Sequence, residues 1–163
     1  MSISEAFFFS RAVKKYMRRK FYILKANDTV ASAVRTMKEN NLGSVGVEFE
    51  DGSVGILTDR DIVMKVVLVS GDPSKVKLGD VATRHAVTIQ ESSSLEEAMR
   101  LMRDNGILRL VVVDGKGKPV GLLVERWVFA SLVSELLGGK KKESRTWLDR
   151  YINDVTDATL MED

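Results

Sequence analysis

The sequence predicts an α/β fold of the α+β kind, made of two β-α-β-β-α repeats that pack with pseudo-two-fold symmetry between terminal helices. Apolar runs with strand character alternate with stretches whose apolar residues recur at helical spacing. The same order of elements occurs twice, with a period of about 65 residues, which is longer than the usual solenoid repeats. Two copies of this length indicate a duplicated small domain.

Composition agrees with a globular protein and argues against a general polyanion or membrane binder. The chain has 163 residues, of which 44% are hydrophobic and 29% charged. One repeat alone is too small to bury much apolar surface, so the two are expected to share a core. The chain has 25 basic and 23 acidic residues, a balance that gives no general attraction to nucleic acid. Two local basic runs, at 14–20 and 140–142, keep nucleic-acid binding as a third hypothesis, which predicts that binding depends steeply on salt.

The sequence also bears on the compartment. There is no cysteine, which excludes a disulfide framework, a thiolate nucleophile and a cysteine metal site. The apolar triplet at 7–9 follows Glu5 and precedes basic residues, the reverse of a secretory signal. No apolar run approaches the length of a membrane span. We therefore expect a cytoplasmic protein without a membrane partner.

The N-terminal part is predicted to be a helix and the first repeat to follow it. Apolar residues at helical spacing predict a helix over 3–18, and residues 1–15 are assigned to it ahead of the repeats. Repeat 1 is expected over residues 16–72, with N-cap side chains before its first helix, a hairpin turn at Asp51-Gly52 and a helix stop at Gly71. Its predicted elements are an extended segment at 21–24, a helix from 30 to about 41, strands at 44–49 and 54–58, and a helix from 58 to about 70.

The second repeat, expected over residues 73–138, matches the first element by element. Ser94-Leu95 corresponds to Thr29-Val30, and Gly121 corresponds to Gly55 once one residue is inserted at the turn. The last helix of this repeat is expected to stop at Gly138-Gly139. Residues 139–163 are predicted to form a linker and an amphipathic C-terminal helix, which either packs against the repeats or offers a dimer or partner surface. The apolar stripe of that helix consists of Trp147, Leu148, Tyr151, Ile152 and Val155.

The junction between strand and helix at residues 55–61, Gly-Ile-Leu-Thr-Asp-Arg-Asp, carries the candidate binding chemistry. A helix start has unpaired backbone N–H groups and a positive dipole end, which favour an anion. The Asp61 carboxylate could accept from two ribose hydroxyls, and the Thr58 hydroxyl could serve a phosphate oxygen. Thr-x-x-Asp is also a capping-box pattern that only satisfies the helix itself. From these residues alone both hypotheses stay open.

Three stretches together resemble a tandem pair of cystathionine-β-synthase (CBS) domains. They are Asn41 to Val45, Gly55 to Ile62, and Leu78 to Thr83, and the resemblance extends over about residues 16 to 137. In that family the pair commonly binds an adenosine-containing ligand such as AMP, ADP, ATP or S-adenosylmethionine in the cleft between the repeats. It often forms a flat, disc-shaped dimer and is more often a sensor than a catalyst.

The resemblance also implies roles for individual residues. Thr58 and Asp61 match the family's phosphate and ribose residues, Ile56 would line the same pocket, and Arg60 and Arg109 would reach the phosphate. The residues expected against the adenine are Ala86, Val87, Ile107 and Leu108.

The second junction departs from the pattern, because Val124 and Trp127 stand where the hydroxyl and the carboxylate are expected. Neither side chain can bind a ribose in the family's way, and an indole after a buried strand more often fills volume than stacks on a base. A helix start that lacks Thr and Asp shows that capping does not require them, so their presence in the first repeat favours ligand binding.

The function expected from the sequence is that of a stand-alone regulatory module that takes an adenosine ligand mainly at one site and needs no cofactor. No catalytic set or metal site is expected, since His85 is the single histidine and Asp59 with Asp61 gives neither a nucleophile nor a full ligand set. The alternative is a ligand-free module for protein interaction or dimerisation through the terminal helices. A homodimer and an unidentified protein partner are expected in either case.

Overall fold

The computed structural model describes residues 7–136. A 3₁₀ turn at Val13–Lys15 precedes the first strand. The first half then contains β1 (Ile23–Lys25), α1 (Val30–Glu39), β2 (Ser44–Glu48), β3 (Val54–Thr58), α2 (Asp59–Ile62) and a π-helical stretch (Val63–Val67). The second half contains α3 (Leu78–Val81), β4 (Thr88–Gln90), α4 (Leu95–Asn105), β5 (Arg109–Val113), β6 (Pro119–Val124) and α5 (Glu125–Leu136).

The chain divides into two compact units. The repeat-1 unit is Phe21–Ala86, and the repeat-2 unit consists, within the described residues, of 7–20 together with 87–136. Both units contain the predicted β-α-β-β-α order, so the mixed α/β fold class is confirmed.

The repeat-1 unit is built on a three-stranded sheet in the order β1-β2-β3. β1 runs parallel to β2, and β2 runs antiparallel to β3 through the tight turn that Asp51-Gly52 predicts. Thr29 caps α1, since its side chain accepts a hydrogen bond from the Ser32 N–H. The core under this sheet consists of Val30, Ala33, Met37, Val45, Val47, Phe49, Leu57, Ile62, Val66, Leu78 and Val81.

The repeat-2 unit has the same sheet, in the order β4-β5-β6. Ser94 caps α4 as Thr29 caps α1. The pairing of β5 with β6 shifts register between Val112 and Val113, next to the turn where the comparison of the repeats requires one extra residue. Its core includes Phe8, Val13 and Met17 from the N-terminal segment, which pack with residues of all three strands.

The predicted helix over 3–18 is wrong within the described residues. Residues 7–9 are helical, but Ala12 is extended and forms a bridge with Ser94. The physical reason is competition for the backbone: Val13 N–H donates to the Ser93 carbonyl at 2.8 Å and Lys14 N–H to the Glu91 carbonyl at 2.9 Å. These distant acceptors replace the carbonyls that a continuous helix would supply.

The short segment before the first strand of each repeat pairs with the last strand of the other repeat. Thr83 forms a bridge with Ile56 of β3, and Arg18 forms the equivalent bridge with Leu122 of β6. In the structure, residues 73–86 therefore belong to the repeat-1 unit and residues 16–20 to the repeat-2 unit. The boundaries predicted from the sequence instead divide the chain in linear order, with repeat 1 at 16–72 and repeat 2 at 73–138.

Two further expectations concern the ends of the chain and membrane association. The C-terminal linker and amphipathic helix, and the stop at Gly138-Gly139, lie outside the described residues. Over the part of the chain that the structure describes, no helix has the length and apolar character that crossing a membrane requires.

Candidate functional site

The junction between β3 and α2 forms a reciprocal capping box. The Thr58 hydroxyl accepts a hydrogen bond from the Asp61 N–H at 3.1 Å, and Asp61 Oδ2 accepts from the Thr58 N–H at 3.0 Å. The same oxygen also accepts from the Thr58 hydroxyl at 2.6 Å. The capping hypothesis therefore describes the contacts of these two side chains, and any ligand must bind on top of them or displace them.

The backbone of the first helical turn is also occupied. Asp59 N–H donates to the Gly43 carbonyl at 3.1 Å, and Arg60 N–H donates to Asp59 Oδ1 at 2.9 Å. Asp61 N–H donates to the Thr58 hydroxyl. The expectation of unpaired N–H groups at this helix start is therefore wrong for Asp59, Arg60 and Asp61. An anion here would depend on side-chain cations.

Lys65, which the sequence reasoning missed, is such a cation. Its Nζ lies 2.8 Å from Asp61 Oδ1 and donates to the Val81 carbonyl at 2.7 Å. The Asp61 side chain is 18% exposed and that of Lys65 is 43% exposed. The i, i+4 spacing of opposite charges on one helix was the sequence signal that could have found this pair.

The contacts of Asp61 keep it ionised and leave it one open position. Burial raises the pKa of this carboxyl, but Lys65 and the hydrogen bonds from Thr58 outweigh burial, so the pKa lies below the ordinary aspartate value. A carboxylate offers about four lone-pair positions. Among the contacts described, Oδ2 accepts two hydrogen bonds and Oδ1 accepts one, which leaves Oδ1 able to accept one more.

Other predicted site residues lie beside this junction in the repeat-1 unit. Ile56 is half-buried on β3 and pairs with Thr83 through two hydrogen bonds of 2.9 and 3.0 Å. Ala86 N–H donates to the Val54 carbonyl at 3.1 Å, which places it along the same strand. Arg60 is exposed on the first turn of α2. The structure thus brings Ile56, Thr58, Arg60, Asp61 and Ala86 to one strand and the helix that follows it.

The remaining predicted residues belong to the repeat-2 unit. The Val87 carbonyl accepts from the Val111 N–H at 3.1 Å, and the Leu108 carbonyl accepts from the Glu125 N–H at 3.0 Å. Ile107 packs against the core, the Leu108 side chain is 56% exposed, and Arg109 is half-buried opposite Val124. Leu108 and Arg109 therefore meet the second junction of the chain, within their own unit.

At that second junction, packed side chains stand where the first junction has its capping box. Val124 is buried and Trp127 is half-buried. The Arg18 guanidinium lies 5.8 Å from the centroid of the Trp127 ring, and Arg18 is only 8% exposed. This cation–π contact holds Trp127 beside Arg18 within the repeat-2 unit, and the expectation that the indole fills volume stays a prediction. It also removes Arg18 from the solvated face that nucleic-acid binding would require.

Two observations on the described residues concern metal ligands and the single histidine. Within 7–136, no group of three or more histidine, cysteine, aspartate or glutamate side chains is placed to hold a metal ion. His85 is exposed and has a left-handed backbone with φ of 55°.

Comparison with known proteins gives one consistent family. The model of the CBS domain matches residues 13–68 and 78–126. An uncharacterised protein of Methanopyrus kandleri is 33% identical over 135 residues, covering 78% of this chain and 69% of that protein. The chain spans between 21% and 69% of the length of the first three curated relatives.

Solved structures share the fold. A crystal structure of an uncharacterised conserved protein from Pyrococcus horikoshii has a TM-score of 0.65 at 27% identity, covering 85% of this chain and 98% of that one. The crystal structure of CBSX2 in complex with AMP has a TM-score of 0.62 at 22% identity, covering 77% of this chain and 98% of that one. Since the two CBS matches together cover more than half of its residues, the chain belongs to the CBS-domain family and carries a tandem pair.

Proposed function

We propose that this CBS pair is a regulatory module that binds an adenine nucleotide, AMP, ADP or ATP, at the β3–α2 junction of the first repeat and catalyses no reaction. One observation carries the proposal. Asp61 keeps an acceptor position on Oδ1 within a half-buried pair of opposite charges, while the equivalent position of the second repeat holds Trp127. Binding is therefore expected at one site per chain, with S-adenosylmethionine a weaker candidate ligand.

The chemistry of ribose supports this assignment. One ribose hydroxyl can donate to the open position on Asp61 Oδ1, whereas a second hydroxyl would have to displace a Thr58 contact on Oδ2. Hydrogen bonds to a charged group are stronger than those between neutral groups. Because Asp61 is held ionised, it is prepared for this role at neutral pH. The roles of Ile56, Ala86, Val87, Ile107 and Leu108 against the adenine, and of Arg60 and Arg109 near the phosphate, stay predictions from the family resemblance.

The AMP complex of CBSX2 is relevant to the choice of ligand only through the shared fold. At 22% identity, that likeness does not carry residue roles to this chain. The proposal rests on Thr58, Asp61 and their surroundings.

A thermal-shift series tests the proposal. A ligand that binds only the folded state at a hundred times its Kd adds about 2.7 kcal/mol, which for a chain of this size raises Tm by about 5 °C or more. We expect such a shift with at least one of AMP, ADP and ATP, a smaller one with GMP, and a shift reduced to about half or less with Asp61→Asn. Asp72→Asn is the matched control, because Asp72 is an exposed carboxylate of the same unit that also pairs with a lysine.

A ligand-free interaction module is the second candidate function, and the first helical turn favours it. Thr58, Asp61 and the three leading N–H groups already satisfy one another or nearby backbone. A junction that is complete without a ligand can serve as pure structure. In that case no nucleotide would shift the Tm of a folded protein, and Asp61→Asn would change stability alone.

We also propose that the chain forms a homodimer through two equivalent apolar stripes. Val63 and Val67, which follow α2 one helical turn apart, are 54% and 63% exposed. Aligning Arg126 with Arg60 makes Phe129 and Val133 of α5 their equivalents, and these are 44% and 36% exposed. Aliphatic and aromatic side chains exposed at matching positions of both repeats fit a symmetric contact with a second copy.

A further inference from the structure

We propose that Lys65 sets the preference of this site for phosphorylated over unphosphorylated adenosine ligands, by neutralising Asp61. The inference rests on the proposed function and adds to it a specificity residue that the junction motif does not contain. Its basis is the pair of contacts that Lys65 Nζ makes, 2.8 Å to Asp61 Oδ1 and 2.7 Å to the Val81 carbonyl.

A carboxylate that binds ribose creates a charge conflict in a nucleotide site. The 5′-phosphate of a nucleotide is close to its own ribose hydroxyls, well inside the Debye length of about 8 Å at physiological salt. A lone Asp61 would therefore repel the phosphate of any ligand whose ribose it holds. Lys65 removes this repulsion, since its ammonium group and the carboxylate form a pair without net charge.

The backbone contacts of the junction leave compensation of the phosphate charge to a side chain. The first three N–H groups of α2 donate to Gly43, Asp59 and Thr58, so the backbone offers the phosphate little compensation. The bond to the Val81 carbonyl is a second contact that holds the Lys65 ammonium group beside Asp61. With one of its three protons uncommitted by these two contacts, the ammonium group can also face the phosphate directly.

The test compares AMP with adenosine by calorimetry at low salt, using wild type, Lys65→Met and Lys65→Arg. Lys65→Met should weaken AMP binding by about tenfold, the effect of one unscreened charge at this range, while adenosine binding changes by less than about threefold. Lys65→Arg should restore the preference, because it returns the positive charge. Lys75→Met is the control, since it removes a lysine of the same unit that pairs with Asp72 instead.

The outcomes separate this inference from the proposed function. Equal losses for AMP and adenosine in Lys65→Met, or no loss for either, would overturn the role of Lys65 while leaving nucleotide binding intact. A failure of Lys65→Arg to restore the preference, with an unchanged Tm, would also overturn it. Absence of binding to wild type by both ligands would instead contradict the proposed function itself.

Discussion

At the scale of residues, Thr58 and Asp61 show how one motif serves both the fold and a proposed site. Their side chains and N–H groups satisfy each other at the start of α2, which is a capping role. Capping and binding are compatible, because the cap leaves an acceptor position on Asp61 Oδ1 beside Lys65. The sequence pattern alone could not separate the two roles, since both need the same residues at the same spacing.

The lowered pKa of Asp61 predicts how stability depends on pH. A carboxyl whose folded-state pKa is depressed contributes stability that is present above the unfolded value of about 3.9 and is lost as pH falls through the folded-state pKa. Wild type should therefore exceed Asp61→Asn in unfolding free energy by about 1 kcal/mol at pH 7, and the difference should shrink as pH falls below the unfolded-state pKa.

Urea denaturation of both proteins between pH 7 and pH 2.5 measures that difference. Asp51 and Asp72 also have lowered pKa values, but both proteins contain them, so their effects cancel in the subtraction. A difference that stays constant over the whole pH range would contradict the ionised, paired state of Asp61.

At the scale of elements, the strand before each junction depends on close approach of a second segment. A Cβ added to Gly55 would lie 2.4 Å from the Thr83 carbonyl oxygen and 2.9 Å from the Phe49 ring. A Cβ on the equivalent Gly121 would lie 2.6 Å from the Arg18 carbonyl oxygen. These glycines let the bridges at Ile56 and Leu122 form, which explains why both repeats have glycine at this point.

Gly55→Ala should therefore destabilise the protein by about 1–3 kcal/mol, as overpacking commonly does. Gly115→Ala is the control, because a Cβ there meets no atom within 4 Å, and it should change stability by less than about 0.5 kcal/mol. Unfolding in urea compares the two. A Gly55→Ala protein as stable as the control would show that the segment at Thr83 moves away without cost.

The elements also show where sequence reasoning succeeds and where it fails. β3 was predicted at 54–58 and lies there, because its turn and its junction are local signals. The N-terminal segment was predicted as one helix, but its backbone partners, Ser93 and Glu91, are distant in sequence. For Lys65, the i, i+4 spacing from Asp61 is a local signal, but its contact with the Val81 carbonyl depends on where α3 lies in space.

At the scale of the whole molecule, the duplicated repeat predicts a duplicated surface. If the stripes at Val67 and Phe129 join two copies, Val67→Asp and Phe129→Asp should each convert a dimer into a monomer. Neither should change the stability of one chain by more than about 0.5 kcal/mol, because the side chains are exposed. Sedimentation equilibrium over a range of concentrations measures the mass.

Val34→Asp is the matched control, since Val34 is 42% exposed on α1 and lies outside both stripes. It should leave the dimer unchanged. A wild-type protein that is monomeric at every concentration, or a Val67→Asp protein that keeps the mass of the wild type, would refute the proposed contact.

The two repeats are expected to differ in ligand binding, because Thr58 and Asp61 stand at the first junction while Val124 and Trp127 stand at the second. Calorimetric titration of AMP into wild type and Asp61→Ala, with Asp72→Ala beside them, tests this central claim most directly. The account predicts one AMP per chain for wild type and Asp72→Ala, and binding at least about tenfold weaker for Asp61→Ala, since a ribose would lose hydrogen bonds to a charged group. Two AMP per chain, or binding that Asp61→Ala leaves unchanged in a folded protein, would contradict it.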